Sequence, residues 1–248
     1  MIVIGAWMIG LAISVSIGNA KADASWCDRV ARSLPGVAST GGALALTGIS
    51  AAQGTTATTL AFIGLGAWAA LVPRVESARS AKIALAVIGG VSAVALITAG
   101  GWSSGGHSHL SEWLGTSPLT ESHRLTETQA LIGLGGLAFL VWPSNQLVRL
   151  TLQAAEAGAS PTVSKIKGGR IIGPIERLLI TILALLGEAT PAALIASAKG
   201  LLRYPELKGM GADDGEGSDV HAATEYLLIG SVTSWLIAIA IAALLAVA

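Results

Sequence analysis

The feature that most constrains this chain is the length of its apolar runs, with charged residues confined largely to the stretches between them. Several runs approach the roughly 20 apolar residues that an α-helix needs to cross the hydrocarbon core of a bilayer. Hydrophobic residues make up 52% of the chain and charged residues 12%, and the mean hydropathy is +0.69. A soluble domain is far more polar. The sequence therefore predicts an all-α, polytopic transmembrane helical bundle.

The number and orientation of the spans follow from the runs and from the basic residues. We count six to eight spans. Basic residues cluster after the first run, around residues 74–82 and around residues 165–170, and the tendency of cytoplasmic loops to be positive assigns these stretches to the cytoplasm. The loop 101–127 holds only Arg124 among basic residues, so we expect it to be extracytoplasmic.

Two segments allow alternatives. The run that ends at Ile17 is followed by Ala20-Lys21-Ala22, which fits a signal-peptide cleavage site, but no basic residue precedes the run. We favour a retained first span. Residues 36–72 are long enough for two crossings, but Gly, Ser and Thr dilute the first half. That half is either a span or a re-entrant or helix-packed segment.

Five charged residues in the C-terminal third are candidates for a functional cluster. They are Glu176, Arg177, Lys199, Arg203 and Glu225. Charges inside apolar runs are costly and normally face a partner. Lys199 and Arg203 are four residues apart and therefore share a helix face. We expect one network at the cytoplasmic side, which either locks three helices together or lines a path for a solute. We favour the first interpretation.

The last apolar run carries small residues at a spacing of four. They are Gly230, Ser234, Ala238 and Ala242. A stripe of this kind lets another helix approach closely. The sequence predicts helix packing there, against either an internal neighbour or a second copy of the chain.

Metal, cofactor and nucleic-acid functions have little support. His107, His109 and Glu112 are of residue types that bind zinc, but their spacing is unspecific and we assign no metal site, keeping them as weak candidates. We find no nucleotide-binding or hydrolase motif, so we expect no cofactor and lean against an enzyme. The net charge is zero, which argues against a nucleic-acid partner. A single cysteine, Cys27, excludes an intrachain disulfide.

The sequence divides into two regions. Residues 1–157 form an N-terminal membrane bundle that includes the His-bearing loop 101–127. Residues 158–248 form a C-terminal membrane region with a flexible, acidic loop at 205–223.

The C-terminal region carries a pattern of short motifs. Gly173-Pro174-Ile175-Glu176-Arg177 is followed by Lys199 and Arg203 and then by Glu225-Tyr226 with Ile229-Gly230-Ser231. This order, over roughly the last 80 residues, resembles a bacterial integral-membrane family of unknown function. The N-terminal half departs from that family in lacking its His/Asp/Gln-bearing first helix. The resemblance implies a bacterial inner membrane and names no reaction.

Three functions stay open from the sequence. The first is a structural or interaction protein, whose partners are the lipid bilayer and either a second copy or another membrane protein. The second is a small-solute or ion transporter or channel that uses Glu176 and Lys199, since Pro174 and Pro191 interrupt helices as at transport sites. The third is a metal-linked membrane enzyme that uses His107, His109 and Glu112. We favour the first.

Overall fold

All regular structure in the residues that the structure describes is helical. The computed structural model describes residues 2–17, 26–72, 75, 77–99, 108–116, 126–156, 169–188, 190, 193–195, 197–198 and 217–248. The helices with assigned bounds are α1 (Ile2–Ile17), α2 (Trp26–Ala45), α3 (Ala51–Leu71), α4 (Ala78–Ala99), α5 (His109–Thr116), α6 (Glu127–Val141), α7 (Pro143–Ala154), α8 (Gly169–Leu185) and α9 (Gly217–Ala246). Residues 190, 193–195 and 197–198 are helical as well. No strand occurs in the described residues. The all-α prediction is confirmed.

Two of the described helices are long and apolar enough to cross a membrane. They are α3, with 21 residues, and the part of α9 at Ala223–Ala246, with 24 residues. At 1.5 Å per residue these segments measure about 31 and 36 Å. A third crossing results if α6 and α7, which meet at a bend of 50°, count as one broken span. The predicted count of six to eight spans is therefore not confirmed for the described part of the chain.

Helix α1 lies at the centre of the bundle. It packs against α2, α3, α4, α6 and α7. Its side chains are buried almost throughout, including Ile4, Ala6, Leu11 and Ala12. The first apolar run is thus a core element of the fold.

Close contacts of α1 with its two main neighbours depend on glycine. A Cβ on Gly5 would lie 2.6 Å from the carbonyl carbon of Leu131 in α6, and a Cβ on Gly10 would collide with the backbone of Gly36 in α2. Real Cβ atoms do not approach other atoms so closely, so both crossings require a residue without a side chain. The two glycines fix how deeply α1 sits between α2 and α6.

The ambiguous segment at residues 36–50 is a packed helix followed by a turn. Residues up to Ala45 belong to α2, which packs against α1 and α3. A turn at 46–48 leads into α3, and Gly48 has a positive φ of 55° there. Of the alternatives that the sequence left open, α2 matches the helix-packed segment, because it is not among the helices apolar enough to span.

Contacts between the helices show their relative directions. Gly10 of α1 meets Gly36 of α2, and Ser14, one turn later, donates to the carbonyl of Ser33, so α1 and α2 are antiparallel. Gly5 meets Leu131, while Met8 meets Gly135, so α1 and α6 are parallel. These directions define two ends of the bundle.

Helices α8 and α9 run parallel to each other. Arg177 contacts Ser234, and Thr181 donates to the carbonyl of Ala238, so both contacts advance together along the two helices. Helix α9 is antiparallel to α6 and α7, because Gly230 lies beside Leu152 whereas Leu245 lies beside Gly133. The end of α8 and the start of α9 therefore lie at opposite ends of the bundle.

Candidate functional site

Helix α8 is amphipathic, but its polar side faces the interior of the bundle and its aliphatic side faces outward, which is the reverse of a helix in a soluble protein. Its inward face carries Glu176, Arg177 and Thr181, all buried. Its outward face is aliphatic, and Ile171, for example, is 71% exposed. The other exposed aliphatic residues of α8 and its final turn are Ile172, Ile175, Leu179, Ile182, Leu185 and Leu186. Polar groups therefore gather inside the bundle, where the other helices supply partners.

Arg177 is the centre of this polar interior. Its side chain is 2% exposed and is the largest of the fully buried side chains among the described residues. The Nε atom donates to the carbonyl oxygen of Leu140 at 3.1 Å, and one terminal nitrogen donates to Ser234 Oγ at 3.0 Å. The other terminal nitrogen donates to Asn145 Oδ1. One guanidinium thus connects α8 with the end of α6, the start of α7 and the middle of α9.

The acceptor on α6 lies close to the bend between α6 and α7. Pro143 has no backbone N–H and begins α7 immediately after the bend. The Leu140 carbonyl, near the end of α6, accepts from Arg177 and from the hydroxyl of Ser144. The amide of Asn145 donates its Nδ2 to the carbonyl of Val141, which orients its Oδ1 for Arg177. Side chains therefore satisfy backbone carbonyls at the break, as a buried helix end requires.

Glu176 lies beside Arg177 and is also buried, at 5% exposure. Its Oε1 accepts a hydrogen bond of 2.8 Å from the indole nitrogen of Trp235 in α9. Charge-assisted hydrogen bonds of this kind are stronger than neutral ones. Two neighbouring residues of α8 therefore bind two neighbouring residues of α9, Glu176 to Trp235 and Arg177 to Ser234.

The small-residue stripe of α9 faces the interior of the bundle. Gly230 lies beside Val148 and Leu152 of α7. Ser234, Ala238 and Ala242 are buried, and the Ala238 carbonyl accepts from Thr181 of α8. Internal neighbours occupy this face, so the stripe serves packing within the chain. Ser234 has a further role that the sequence did not indicate, since it accepts from Arg177.

The remaining members of the predicted charge cluster are placed differently. Lys199 and Arg203 lie outside the described residues. Glu225 is exposed and precedes Ser234 by nine residues of α9, which corresponds to roughly 14 Å along the helix axis. The structure thus brings together Glu176 and Arg177 but not Glu225.

Sequence reasoning missed Asn145, Trp235 and the carbonyl of Leu140 as partners in this site. A polar amide two residues after Pro143 was the one available signal, because a proline that interrupts an apolar run leaves carbonyls in need of donors.

The His-bearing loop contains helix α5, which rests on the end of α2. Ser108 Oγ and the backbone N–H of Leu110 both donate to the carbonyl of Leu46. His109 and Glu112 are exposed, and His107 lies outside the described residues. Among the residues that the structure describes, no three His, Cys, Asp or Glu side chains come close enough together to hold a metal.

Comparison of the chain with protein-family models, with curated proteins and with solved structures gave no match. The resemblance of the C-terminal region to a bacterial membrane family therefore stays a prediction.

Proposed function

We propose that this chain is a multi-pass protein of a bacterial inner membrane with a structural or interaction role. The observation that carries the proposal is the hydrogen bonding of the buried Arg177. Its Nε and both terminal nitrogens donate to acceptors inside the bundle, on the end of α6 and on α7 and α9. A planar guanidinium held from three sides is suited to fixing helices relative to one another.

The surface of the bundle supports placement in a bilayer. Large aliphatic side chains are exposed on α3, α4, α6, α8 and α9, among them Ile63, Ile97, Leu134 and Leu236. Monomeric soluble proteins rarely expose such extensive apolar surface. In a bilayer the same side chains contact acyl chains at no cost, while Glu176 and Arg177 stay inside.

The helix directions support a specific orientation in the membrane. The starts of α2 and α8 and the end of α7 lie at one end of the bundle. Helix α3 ends on the same side, where Trp68 donates its indole N–H to Gln146 of α7, and α4 begins there after a connection of six residues. Six basic residues of the described helices lie there: Arg29, Arg32, Arg79, Lys82, Arg149 and Arg170. Arg177 is the one further basic residue of these helices and is interior. Among the described residues, the opposite end carries no Lys or Arg. The positive-inside tendency makes the basic end cytoplasmic.

A second candidate is a small-solute or ion transporter that uses Glu176 and Lys199. The observation that favours it is the break between α6 and α7, with its bend of 50° beside a buried carboxylate and guanidinium. Discontinuous helices with charged residues near membrane depth are typical of transport sites. Against it stands the hydrogen bonding of Arg177, which uses the carbonyl at the break internally.

Proteoliposomes distinguish these candidates. We would reconstitute the wild type, Glu176→Gln and the control Glu156→Gln, whose side chain is exposed at the basic end, and record proton and monovalent-cation flux with trapped dyes. A structural protein gives flux equal to protein-free vesicles in all three. Flux above that level that falls in Glu176→Gln but not in the control would replace our proposal with a transporter.

An interaction role needs an assembly as well. We would count copies in single native-lipid particles by stepwise photobleaching and identify any protein that remains bound. We expect either more than one copy or a stoichiometric membrane-protein partner. A single copy per particle with nothing bound would contradict an interaction role.

A further inference from the structure

The exposed face of α4 carries basic side chains in its first turns and aliphatic side chains farther along the helix. Arg79 and Lys82 are exposed in its first turns, and Ile83 follows at 50% exposure. Farther along, Ile97 is 78% exposed. Residues spaced by three or four lie on one side of a helix, so these four residues share a continuous exposed face. The opposite side, with Ala81 and Ala84, is buried in the bundle.

Two glycines open this face midway. Gly89 and Gly90 are both exposed, and a Cβ built on either would meet no atom within 4 Å. The surface between Ile83 and Ile97 is therefore a shallow notch over the helix backbone. Neither glycine is needed for a close helix crossing, in contrast to Gly5 and Gly10.

The two cations of this face have no acidic partner in the part of the chain that the structure describes. Arg79 and Lys82 lie at the basic end of the bundle, which the proposed orientation places at the cytoplasmic leaflet. Cationic groups just above an aliphatic strip complement a molecule with an anionic head and a hydrocarbon tail.

We propose that α4 binds an anionic phospholipid of the cytoplasmic leaflet. The headgroup phosphate lies at Arg79 and Lys82, and an acyl chain follows Ile83 and fills the notch at Gly89 and Gly90. Long basic side chains at a helix end reach the phosphate level while their methylene stems stay on apolar surface. The inference rests on the membrane placement proposed above and adds the class of lipid and its position.

Native mass spectrometry of the full chain in a neutral detergent tests the inference. We would titrate phosphatidylglycerol and, as reference, phosphatidylcholine with the same acyl chains. We expect tighter binding of phosphatidylglycerol, weakened roughly tenfold to thirtyfold in Arg79→Gln/Lys82→Gln, since each cation near an anionic headgroup contributes on the order of fivefold.

Two further variants distinguish a specific lipid site from general electrostatic attraction between the basic end and an anionic lipid. Arg149→Gln removes an exposed cation from the same end but from α7, and we expect near wild-type affinity. Gly90→Leu fills the notch without changing charge, and we expect weaker binding of phosphatidylglycerol. Equal affinity for the two lipids, or an equal loss in Arg149→Gln and the double variant, would overturn the inference.

Failure of the lipid site and failure of the membrane placement give different results. The same proteins would be reconstituted into phosphatidylcholine vesicles and extracted with alkaline carbonate. Protein that resists extraction yet does not prefer phosphatidylglycerol contradicts the lipid site alone. Protein that is released by carbonate contradicts the proposed function.

Discussion

Arg177 carries a full positive charge with almost no access to solvent, and neutral oxygens are its hydrogen-bonding partners. The Leu140 carbonyl lies near the C-terminal end of α6, where the helix dipole places partial negative charge. Asn145 and Ser234 add two further oxygens, and the carboxylate of Glu176, the residue before Arg177, supplies a negative charge. The surroundings thus replace the hydration that a buried cation loses.

We expect Arg177→Lys to destabilise the protein, because an ammonium cannot form hydrogen bonds in the three fixed directions that the guanidinium uses. The loss should be about 2 kcal/mol or more, since hydrogen bonds to charged groups contribute about 1.5 to 3 kcal/mol each. Thermal unfolding in detergent, followed by intrinsic fluorescence, measures the change. The control is Arg149→Lys, at an exposed position, which should unfold within about 0.5 kcal/mol of the wild type. Equal stability of the two variants would contradict the role given to Arg177.

At the scale of the element, α1 depends on close approach to two other helices. Gly5 allows close contact with α6. A Cβ added to Gly66 of α3, in contrast, would meet no atom within 4 Å. The two glycines are both helical, so alanine has the same effect on helix propensity at each. Any difference between the two substitutions therefore reports packing.

We expect Gly5→Ala to destabilise the bundle by about 1 to 3 kcal/mol, since the new methyl group forces α1 and α6 apart. Gly66→Ala should be neutral or stabilising by up to about 1 kcal/mol, because alanine is the better helix former. Unfolding by a denaturing detergent, monitored by circular dichroism, gives both values. A Gly5→Ala protein as stable as Gly66→Ala would mean that α1 does not cross α6 as described.

The central position of α1 also predicts how the chain is processed. Cleavage after Ala22 or Ala24 would remove a helix that contacts five others and would expose their apolar faces. We therefore expect the protein extracted from membranes to keep residues 2–17. Intact-mass measurement, with N-terminal sequencing, checks this expectation. A product that begins at Asp23 or Ser25 and still folds would contradict it.

At the scale of the whole molecule, packing of α8 and α9 against α6 and α7 joins the two regions that the sequence separated. Helix α9 packs against α6 and α7 as well as α8, and α8 also contacts α6. The contacts around Arg177 cross the boundary at residue 157, because Leu140 and Asn145 come from one region and Arg177 and Ser234 from the other. The concentration of basic residues at one end of the bundle is a property of this joint arrangement.

The orientation predicts which residues face the cytoplasm. In a Cys27→Ser background we would introduce His109→Cys and Gln153→Cys, both at exposed positions at opposite ends of the bundle. A membrane-impermeant maleimide should label residue 109 in spheroplasts and residue 153 only after permeabilisation, because the proposed orientation places the end with Arg149 in the cytoplasm. Labelling of both from outside, or the reverse pattern, would contradict the orientation.

Part of the fold and of the site could be predicted from sequence. Helix formation satisfies backbone groups locally, so long apolar runs with few breakers predict helices without reference to the rest of the chain. Glu176 and Arg177 stood out because charge inside an apolar run demands a partner. The identity of that partner could not be predicted, since Leu140 and Ser234 are 37 and 57 residues from Arg177 along the chain.

By itself, then, the amino-acid sequence determined the helical class, the apolar surface, the clustering of basic residues and the buried pair on α8. The tertiary structure decided the rest. It made α1 the central helix through Gly5 and Gly10, brought the broken end of α6 to Arg177, and gave Ser234 and Trp235 their roles as partners of α8. The physical reason is that hydropathy and helix propensity depend on each residue and its neighbours along the chain. Partners are set by which helix faces meet, and that depends on close packing among all the helices at once.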